Sequence, residues 1–234
     1  MIQVEFIEMD TSIEKAKKAL QEAGAVIIGA SNGLSISEGY NIFADNEMFR
    51  QQFGDFREKY GIRNVLDGIF SENMNSENRQ AFLERLIKLW TEDYKPSATM
   101  CNLYSLVKSK QYFVLTTNAD EHLEAAGFDS DHVWEIEGTV RTTLRNEPPI
   151  NRNEAFNKFI SKFNGKKIVF LELGIGSRNR IIKLPMMQMV YRQPMATYIT
   201  LNLPNEIFIP DEIAEKSIAL PGDISETLTK LNQV

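Results

Sequence analysis

Cysteine is nearly absent: Cys101 is the only one in 234 residues. An intramolecular disulfide is therefore impossible, and a reducing, cytoplasmic compartment is the expected setting. Histidine is almost as scarce, with His122 and His132 alone. A structural zinc site of four Cys or His ligands cannot be assembled from that set, and no metal is expected. Basic charge is in deficit. The 26 Lys and Arg residues face 32 Asp and Glu, a net charge of -6, and the basic residues are dispersed, which excludes a general nucleic-acid binder. No apolar run approaches the length needed to span a membrane. Residues 1–10 alternate apolar and acidic side chains and lack the basic and apolar regions of a signal peptide. What is present is an ordinary globular composition, 43% hydrophobic and 25% charged, enough for one large domain with a sizeable core.

The most informative stretch is 25–35. The apolar run Ala25-Val26-Ile27-Ile28 empties into Gly29-Ala30-Ser31-Asn32-Gly33-Leu34-Ser35. A strand that ends in glycines and small polar residues exposes backbone N–H groups at a sheet edge, the usual way an α/β protein holds phosphate. An ordinary strand-to-turn junction has the same look, so the rest of the chain must supply the remainder of a nucleotide site.

Thr11 or Ser12 can cap a helix with Ile13, Ala16 and Leu20 on its inner face and Gly24 at its end. From 45 to 107 the texture becomes helical. Phe49, Phe53 and Phe56 share a face up to Gly61, Ser76 opens a helix carrying Phe82, Leu83, Leu86, Ile87 and Trp90, and Pro96 suits the first turn of another. This block is expected to be a small helical subdomain inserted into a single domain spanning 1–234. Further strands are expected at 111–117, 132–136, 167–173, 196–202 and 216–220. Helices are expected at 118–126, 151–163 and 223–231. Apolar strands alternating with helices predict a Rossmann-like, doubly wound parallel sheet of about six strands.

Polar residues follow nearly every strand. They are Gly29, Ser31, Asn32, Gly33 and Ser35; Thr116, Thr117, Asn118 and Asp120; Glu137-Gly138; Gly174, Gly176, Ser177 and Arg178; Asn202; and Gly222-Asp223. Ligands of open α/β sheets sit beyond the carboxyl ends of the strands, so the set has the pattern of a dinucleotide site. Each residue alone also suits a turn or cap: Asn118 and Asp120 could cap the following helix, and Asp45 could cap the first helix of the insert.

In order along the chain these motifs resemble those of the sirtuins, NAD-dependent deacylases and ADP-ribosyltransferases. Ser31-Asn32-Gly33-Leu34-Ser35 through Glu38-Gly39 to Phe43 is similar to their first motif. Thr116-Thr117-Asn118-Ala119-Asp120 is similar to Thr-Gln-Asn-Ile-Asp, Gly174-Ile175-Gly176-Ser177 to Gly-Thr-Ser, Leu201-Asn202 to the late Ile-Asn, and Gly222-Asp223 to the closing Gly-Asp. The departures are informative. The four-cysteine zinc ribbon is missing, Glu137 stands where the family has its catalytic histidine, Asn41-Ile42-Phe43-Ala44 replaces Pro-Asp-Phe-Arg, and Thr117 replaces the motif glutamine. These losses argue against an efficient lysine deacetylase. They resemble the zinc-lacking class M sirtuins of microbes, whose Glu-Leu-Gly-x-Gly, Ile-Ile-Lys-x-Pro and Ala-Thr-Tyr segments are matched at 172–176, 181–185 and 196–198.

That resemblance implies a protein mono-ADP-ribosyltransferase that consumes NAD. Its implied partners are a lipoylated carrier resembling the glycine-cleavage H protein and a macrodomain protein. It implies catalytic roles for Asn118, Glu137 and Arg192. It implies contacts to NAD from Gly29, Ala30, Ser31, Gly33, Ser35, Asp45, Thr117, Asn118 and Asp120, and for the adenosine half from Gly174, Gly176, Ser177, Asn202, Asp223 and Ile224. Glu137 could bind ribose hydroxyls, stabilise a cationic ribose or deprotonate a nucleophile; the plainer alternative is a solvated turn residue. Arg192 could pair with pyrophosphate or a carboxylate, or be a plain surface arginine. The cluster Met186-Met187-Gln188-Met189 could form a flexible lip for a lipoyl arm, or ordinary core. NAD hydrolysis, a non-catalytic NAD or ADP-ribose sensor, and a residual deacylase are the alternative activities.

Overall fold

The computed structural model describes the backbone of residues 2–233 and side chains from residue 9 onward; most of the expected alternation over 1–10 lies outside the described residues. The first helix, α1 (Ile2–Glu22), runs straight through Thr11 and Ser12, so neither caps it. A hydroxyl residue inside a helix costs only about half a kcal/mol, and the buried face of Ile13, Ala16 and Leu20 outweighs it. β1 (Ala25–Ala30) is buried along its whole length, as a central strand covered on both faces must be.

After α2 (Asn32–Ser37) come α3 (Glu47–Tyr60), α4 (Val65–Ile69), α5 (Ser76–Ile87), a π-helical turn (Lys88–Glu92) and α6 (Ala98–Val107). Asn46, not Asp45, caps α3, accepting a hydrogen bond from the Phe49 N–H at 2.8 Å. Asn75 and Ser97 cap α5 and α6 in the same way. Phe49, Phe53, Phe56, Phe82, Leu86 and Trp90 form a core of their own, joined by Val140 and Leu144. α6 packs instead on the sheet, through Met100, Leu103 and Val107.

β2 (Gln111–Thr116), α7 (His122–Ala125), β3 (Val133–Glu135), α8 (Val140–Arg145), α9 (Asn153–Ser161), β4 (Ile168–Leu173), α10 (Lys183–Arg192), β5 (Ala196–Asn202), β6 (Ser217–Pro221) and α11 (Ile224–Asn232) complete the chain. The helix expected from Asn118 shrinks to α7, because Thr116 Oγ1 takes the Asn118 N–H at 3.0 Å and Glu121 adopts a left-handed conformation at φ 59°. The side chains of Asn118 and Asp120 therefore stand on a loop rather than a helix.

All pairings in the sheet are parallel, in the order β3-β2-β1-β4-β5-β6, so the expected six-stranded, doubly wound architecture is the one observed. The order reverses between β1 and β4, the switch point at which such sheets open a cleft. Register makes that cleft level: Ala30 pairs with both Thr116 and Leu173. One face of the sheet is covered by α1, α6 and α11, the other by α9 and α10. The methionine cluster belongs to this second face. Met186 is fully buried and Met187 nearly so, which makes them core rather than a lip. Gly29 is the seat of that packing, since a Cβ there would lie 2.2 Å from the Met186 sulfur.

Candidate nucleotide site

The loops after β1 and β4 are pressed together. A Cβ on Gly33 would lie 2.5 Å from Gly174 Cα, and one on Gly174, at φ 61°, would be as close to Gly33. The Gly33 N–H donates to the Gly174 carbonyl at 3.0 Å and the Leu34 N–H to the Ser31 carbonyl at 2.9 Å. These glycines are thus required by each other, and the two N–H groups are spent inside the protein rather than left bare for phosphate.

Beneath the second loop lies a buried ionic cluster. Glu172 is fully buried; it accepts from the Ile175 N–H at 2.9 Å, Asn202 Nδ2 at 3.2 Å, the Tyr198 hydroxyl at 2.9 Å and the Thr200 hydroxyl. Lys183, 1% exposed, pairs with it at 3.3 Å and donates to the Ile175 and Glu206 carbonyls, each at 3.0 Å. Glu206 in turn accepts from the Ser177 N–H at 2.9 Å, which holds its pKa below the ordinary glutamate range.

Under the first loop a second chain of polar groups crosses to β2. Ser31 and Thr117 share a hydrogen bond of 2.9 Å. Asn118 Nδ2 donates to Ser35 Oγ at 2.9 Å, and Ser35 donates to Asp120 Oδ2 at 2.5 Å. Asn118 is 6% exposed, and its Oδ1 is buried with no hydrogen-bond partner. An orphaned buried acceptor costs about 1–3 kcal/mol, and native proteins keep one mainly where something else completes it.

Two cavities flank this loop and share Asn32 and Phe43 as a common wall. The larger, about 570 Å³, has a polar floor of Ser35, Thr117, Asn118, Asp120 and Glu137, and an apolar side from the helical insert that includes Leu66, Ile69, Leu83 and Trp90. The smaller, about 490 Å³, is lined by Ser31, Gly33, Gly174, Gly176, Asn202, Glu206, Asp223 and Ile224 among others. Beyond β2 and β3 carboxyl groups crowd together. Burial, then the charges of Glu124, Glu121 and Asp120, push Glu135 up to about 8. Burial also raises Glu124. The Arg141 guanidinium partly offsets this density by pairing with Glu121 at 2.8 Å.

The structure therefore brings most of the expected residues to these two cavities and leaves others apart. Ser177 stands beside the smaller one through its bond to Glu206. Asp223 lines the smaller cavity and also caps α11, accepting from the Glu226 N–H at 2.9 Å. Glu137 is exposed on the floor of the larger. Gly29 and Ala30 are buried inside β1 and line neither cavity. Asp45 also lines neither; hydrogen bonds from Arg50 and Arg57 hold it near 2. Arg192 is exposed at the last turn of α10, before β5 begins. That is the amino edge of the sheet, about 20 Å along the strands from the cleft, so it does not meet Asn118 or Glu137. Sequence reasoning named Asn32 among the polar residues after β1 but gave it no contact, although it borders both cavities, and it missed Glu206, which ends a 3-10 turn (Pro204–Glu206) without any motif. It also passed over the buried pair Glu38 and His122.

No protein-family model matches the chain. A protein ADP-ribosyltransferase of Staphylococcus aureus (strain Mu50 / ATCC 700699) is 27% identical over 278 aligned residues, covering 95% of this chain and 87% of that protein. Among solved structures, one described as "Structural Basis for the Mechanism and Regulation of Sir2 Enzymes" superposes with a TM-score of 0.58 at 17% identity, covering 94% of this chain and 95% of the other. A second, "The Structural basis of Sirtuin Substrate Affinity", gives 0.59 at 16% identity, covering 91% and 95%. The chain has the sirtuin fold. Among the described residues no group of three or more His, Cys, Asp or Glu is placed to hold a metal, and no described helix is long and apolar enough to cross a membrane.

Proposed function

We propose that the protein is an NAD-dependent mono-ADP-ribosyltransferase that acts on a protein in a reducing, cytoplasmic compartment. The observation that carries this reading is the unpartnered Asn118 Oδ1, buried at the floor of the larger cavity beside Asp120. An acceptor held dry in that position suits the carboxamide N–H donors of nicotinamide. The smaller cavity then takes the adenosine half, with Asn202, Asp223 and Glu206 as its polar contacts, and Asn32 lies between the two. The 27% identity to a bacterial protein ADP-ribosyltransferase supports the same reading.

In the reaction the bond between nicotinamide and ribose breaks, and its electron pair returns to the nicotinamide ring nitrogen. Positive charge develops on the ribose. Asp120 and the amide dipole of Asn118 are already fixed by Ser35, so they oppose that charge without reorganising. The acceptor bonds to the anomeric carbon and loses its proton to Glu137, which is exposed and free to receive it. Arg192 has no part in this scheme, because of its place at the far edge of the sheet. The apolar wall of the larger cavity suits the aliphatic arm of a lipoylated carrier as acceptor, and a macrodomain protein is the natural partner for reading or removing the mark.

Incubation with NAD labelled in its ADP-ribose portion and a lipoylated carrier protein tests the proposal. Transfer of label to the carrier with release of nicotinamide is the expected result. Nicotinamide release at the same rate without any acceptor means hydrolysis instead. Saturable NAD binding with no release at all means a sensor.

A further inference from the structure

His122 has no place in the chemistry just described, yet no side chain at the site is more enclosed. It is fully buried, stacked on Tyr94 at 3.6 Å with an interplanar angle of 6°, and edged by Tyr40 at 4.6 Å. Its Nδ1 lies 3.1 Å from Glu38 Oε1, and its Nε2 lies 2.7 Å from the Trp90 carbonyl. A carbonyl oxygen only accepts, so Nε2 carries a proton.

The state of Glu38 follows from its other neighbours. Its side chain is fully buried, and Oε2 receives the Tyr94 hydroxyl at 2.6 Å and the Ser97 hydroxyl at 2.5 Å. Both hydroxyls have backbone N–H groups on their acceptor side: the Ser97 N–H donates to Tyr94 and the Met100 N–H to Ser97. Their protons are thus committed to Glu38 Oε2, which accepts both. A carboxylate that already takes two hydroxyls takes the Nδ1–H as a third donor, and His122 is then an imidazolium. Burial pulls its pKa down, but the bond to Glu38 and the charges of Asp120 and Glu38 prevail and raise it.

This cation sits between the two structures that frame the larger cavity. On one side it holds the Trp90 carbonyl, in the π-helical turn of the insert. On the other the ring stands 3.8 Å from Asp120 Oδ2, while the His122 backbone N–H donates to Asp120 Oδ1 at 3.2 Å. Asp120 accepts from Ser35, and Ser35 accepts from Asn118. The titratable groups facing the ring are Glu38, Asp120, Tyr40 and Tyr94. A buried charged pair is a weak source of stability, and its best-attested use is to fix one arrangement among several.

We infer that His122 is a positioning residue: as an imidazolium clamped by Glu38, it fixes Asp120, and through Ser35 the side chain of Asn118, against the insert that walls the cavity. The inference rests on the NAD-cleaving reading for its kinetic consequence but not for its chemical one. Loss of the ring proton at high pH breaks the Nδ1–H bond to Glu38, so a fall of activity on the alkaline side is expected to report His122.

Two measurements test this. Long-range proton–nitrogen spectra of the wild-type protein at neutral pH are expected to show both ring nitrogens of His122 protonated. A neutral tautomer would overturn the inference whatever the protein's activity. In His122→Gln the nicotinamide release rate at saturating NAD is expected to fall roughly ten- to a hundredfold, the loss typical of a small misplacement. KM for NAD is expected to change less, and the alkaline limb of the pH profile to disappear. An unchanged rate and profile in the folded variant overturns the inference. If the wild type cleaves no NAD, the cleavage reading fails by itself. The Asn118 side-chain amide resonances then decide: a shift in His122→Gln supports the clamp, and identical resonances refute it.

Discussion

Beneath the loop after β4, Glu172 uses both oxygens on four donors besides Lys183, and every one of those contacts is internal. Beneath the loop after β2, Asn118 gives its amide hydrogen to Ser35 and leaves its oxygen without a donor. Both clusters are buried, and both lie at the carboxyl edge of the same sheet. The first is closed, and its work is to hold the shape of Gly174-Ile175-Gly176-Ser177. The second is open, and in the proposed reading its missing partner is the nicotinamide carboxamide. A buried polar network is worth most when complete and costs most when one member is missing. The two halves of the cleft should therefore respond to mutation in different observables.

The largest effect is expected in the closed half. Lys183→Met leaves the Glu172 carboxylate buried without its cation, which costs about 3–5 kcal/mol; the denaturation midpoint in urea should fall accordingly. Adding Glu172→Gln to that variant should restore part of the loss, because the uncompensated charge is gone. If the single and double variants unfold at the same denaturant concentration, the pair is not the unit described. In the open half, Asn118→Ala should lower nicotinamide release by about a hundred- to a thousandfold, the range measured when one preorganised group is removed from a transition state. Its cost in stability should stay near 1 kcal/mol, that of one hydrogen bond. A large loss of stability with unchanged turnover would reverse the comparison. Between these lies Gly33→Ala. Its Cβ meets Gly174 backbone on the facing loop at 2.5 Å, so both halves must shift, at about 1–3 kcal/mol. Thermal unfolding and NAD binding should weaken together in this variant.

Much of this layout is legible in the sequence, for a physical reason. Strands buried on both faces must be apolar and β-branched, so the runs at Val26–Ile28 and Ile168–Leu171 stand out, and the polar residues that end them mark the cleft. Ser31, Thr117 and Asn118 are found where strand endings place them. What is hidden is pairing across distance. Glu38 and His122 are 84 residues apart, and nothing local marks either as the other's partner. α10 is hidden for another reason: its first turn contains Pro185 and its interior is rich in methionine, although Pro is tolerated where the N–H has no helical partner anyway. Without the helix in view, lip and core both stay open for that segment, and the structure decides for core. Arg192 has a role implied by resemblance alone, and the topology sets it apart from Asn118 and Glu137. A parallel strand has its entrance at the opposite edge from its exit, so a residue four positions before Ala196 is at the wrong end of β5. Gly29 is in the motif loop by sequence, yet its hydrogen is needed by Met186.

The smallest effect separates the open half from its surroundings. Glu135 ends β3, pairs in register with Thr116, and keeps Oε1 buried and unpartnered. Unlike Asn118, it lines neither cavity, so its missing partner is not a ligand. Burial and the neighbouring carboxyl groups of Glu124, Glu121 and Asp120 raise it from 4.5 to about 8. The folded protein therefore binds a proton at Glu135 that the unfolded chain has released. The resulting stability is fully present below the unfolded value, declines as pH rises through the intervening range, and is gone above about 8. Glu135→Gln removes the ionisable proton while keeping the shape. Its melting temperature should match the wild type near pH 5 and exceed it near pH 9, by roughly 2 kcal/mol, a value reduced from full linkage because part of the side chain meets solvent. In a domain of this size that is about 4–8 °C. NAD cleavage at neutral pH should be almost unchanged, since Glu135 is already neutral there. Parallel melting curves across the range would mean that Glu135 is charged in the fold. The carboxyl cluster would then be a third functional element rather than the passive edge of the open half.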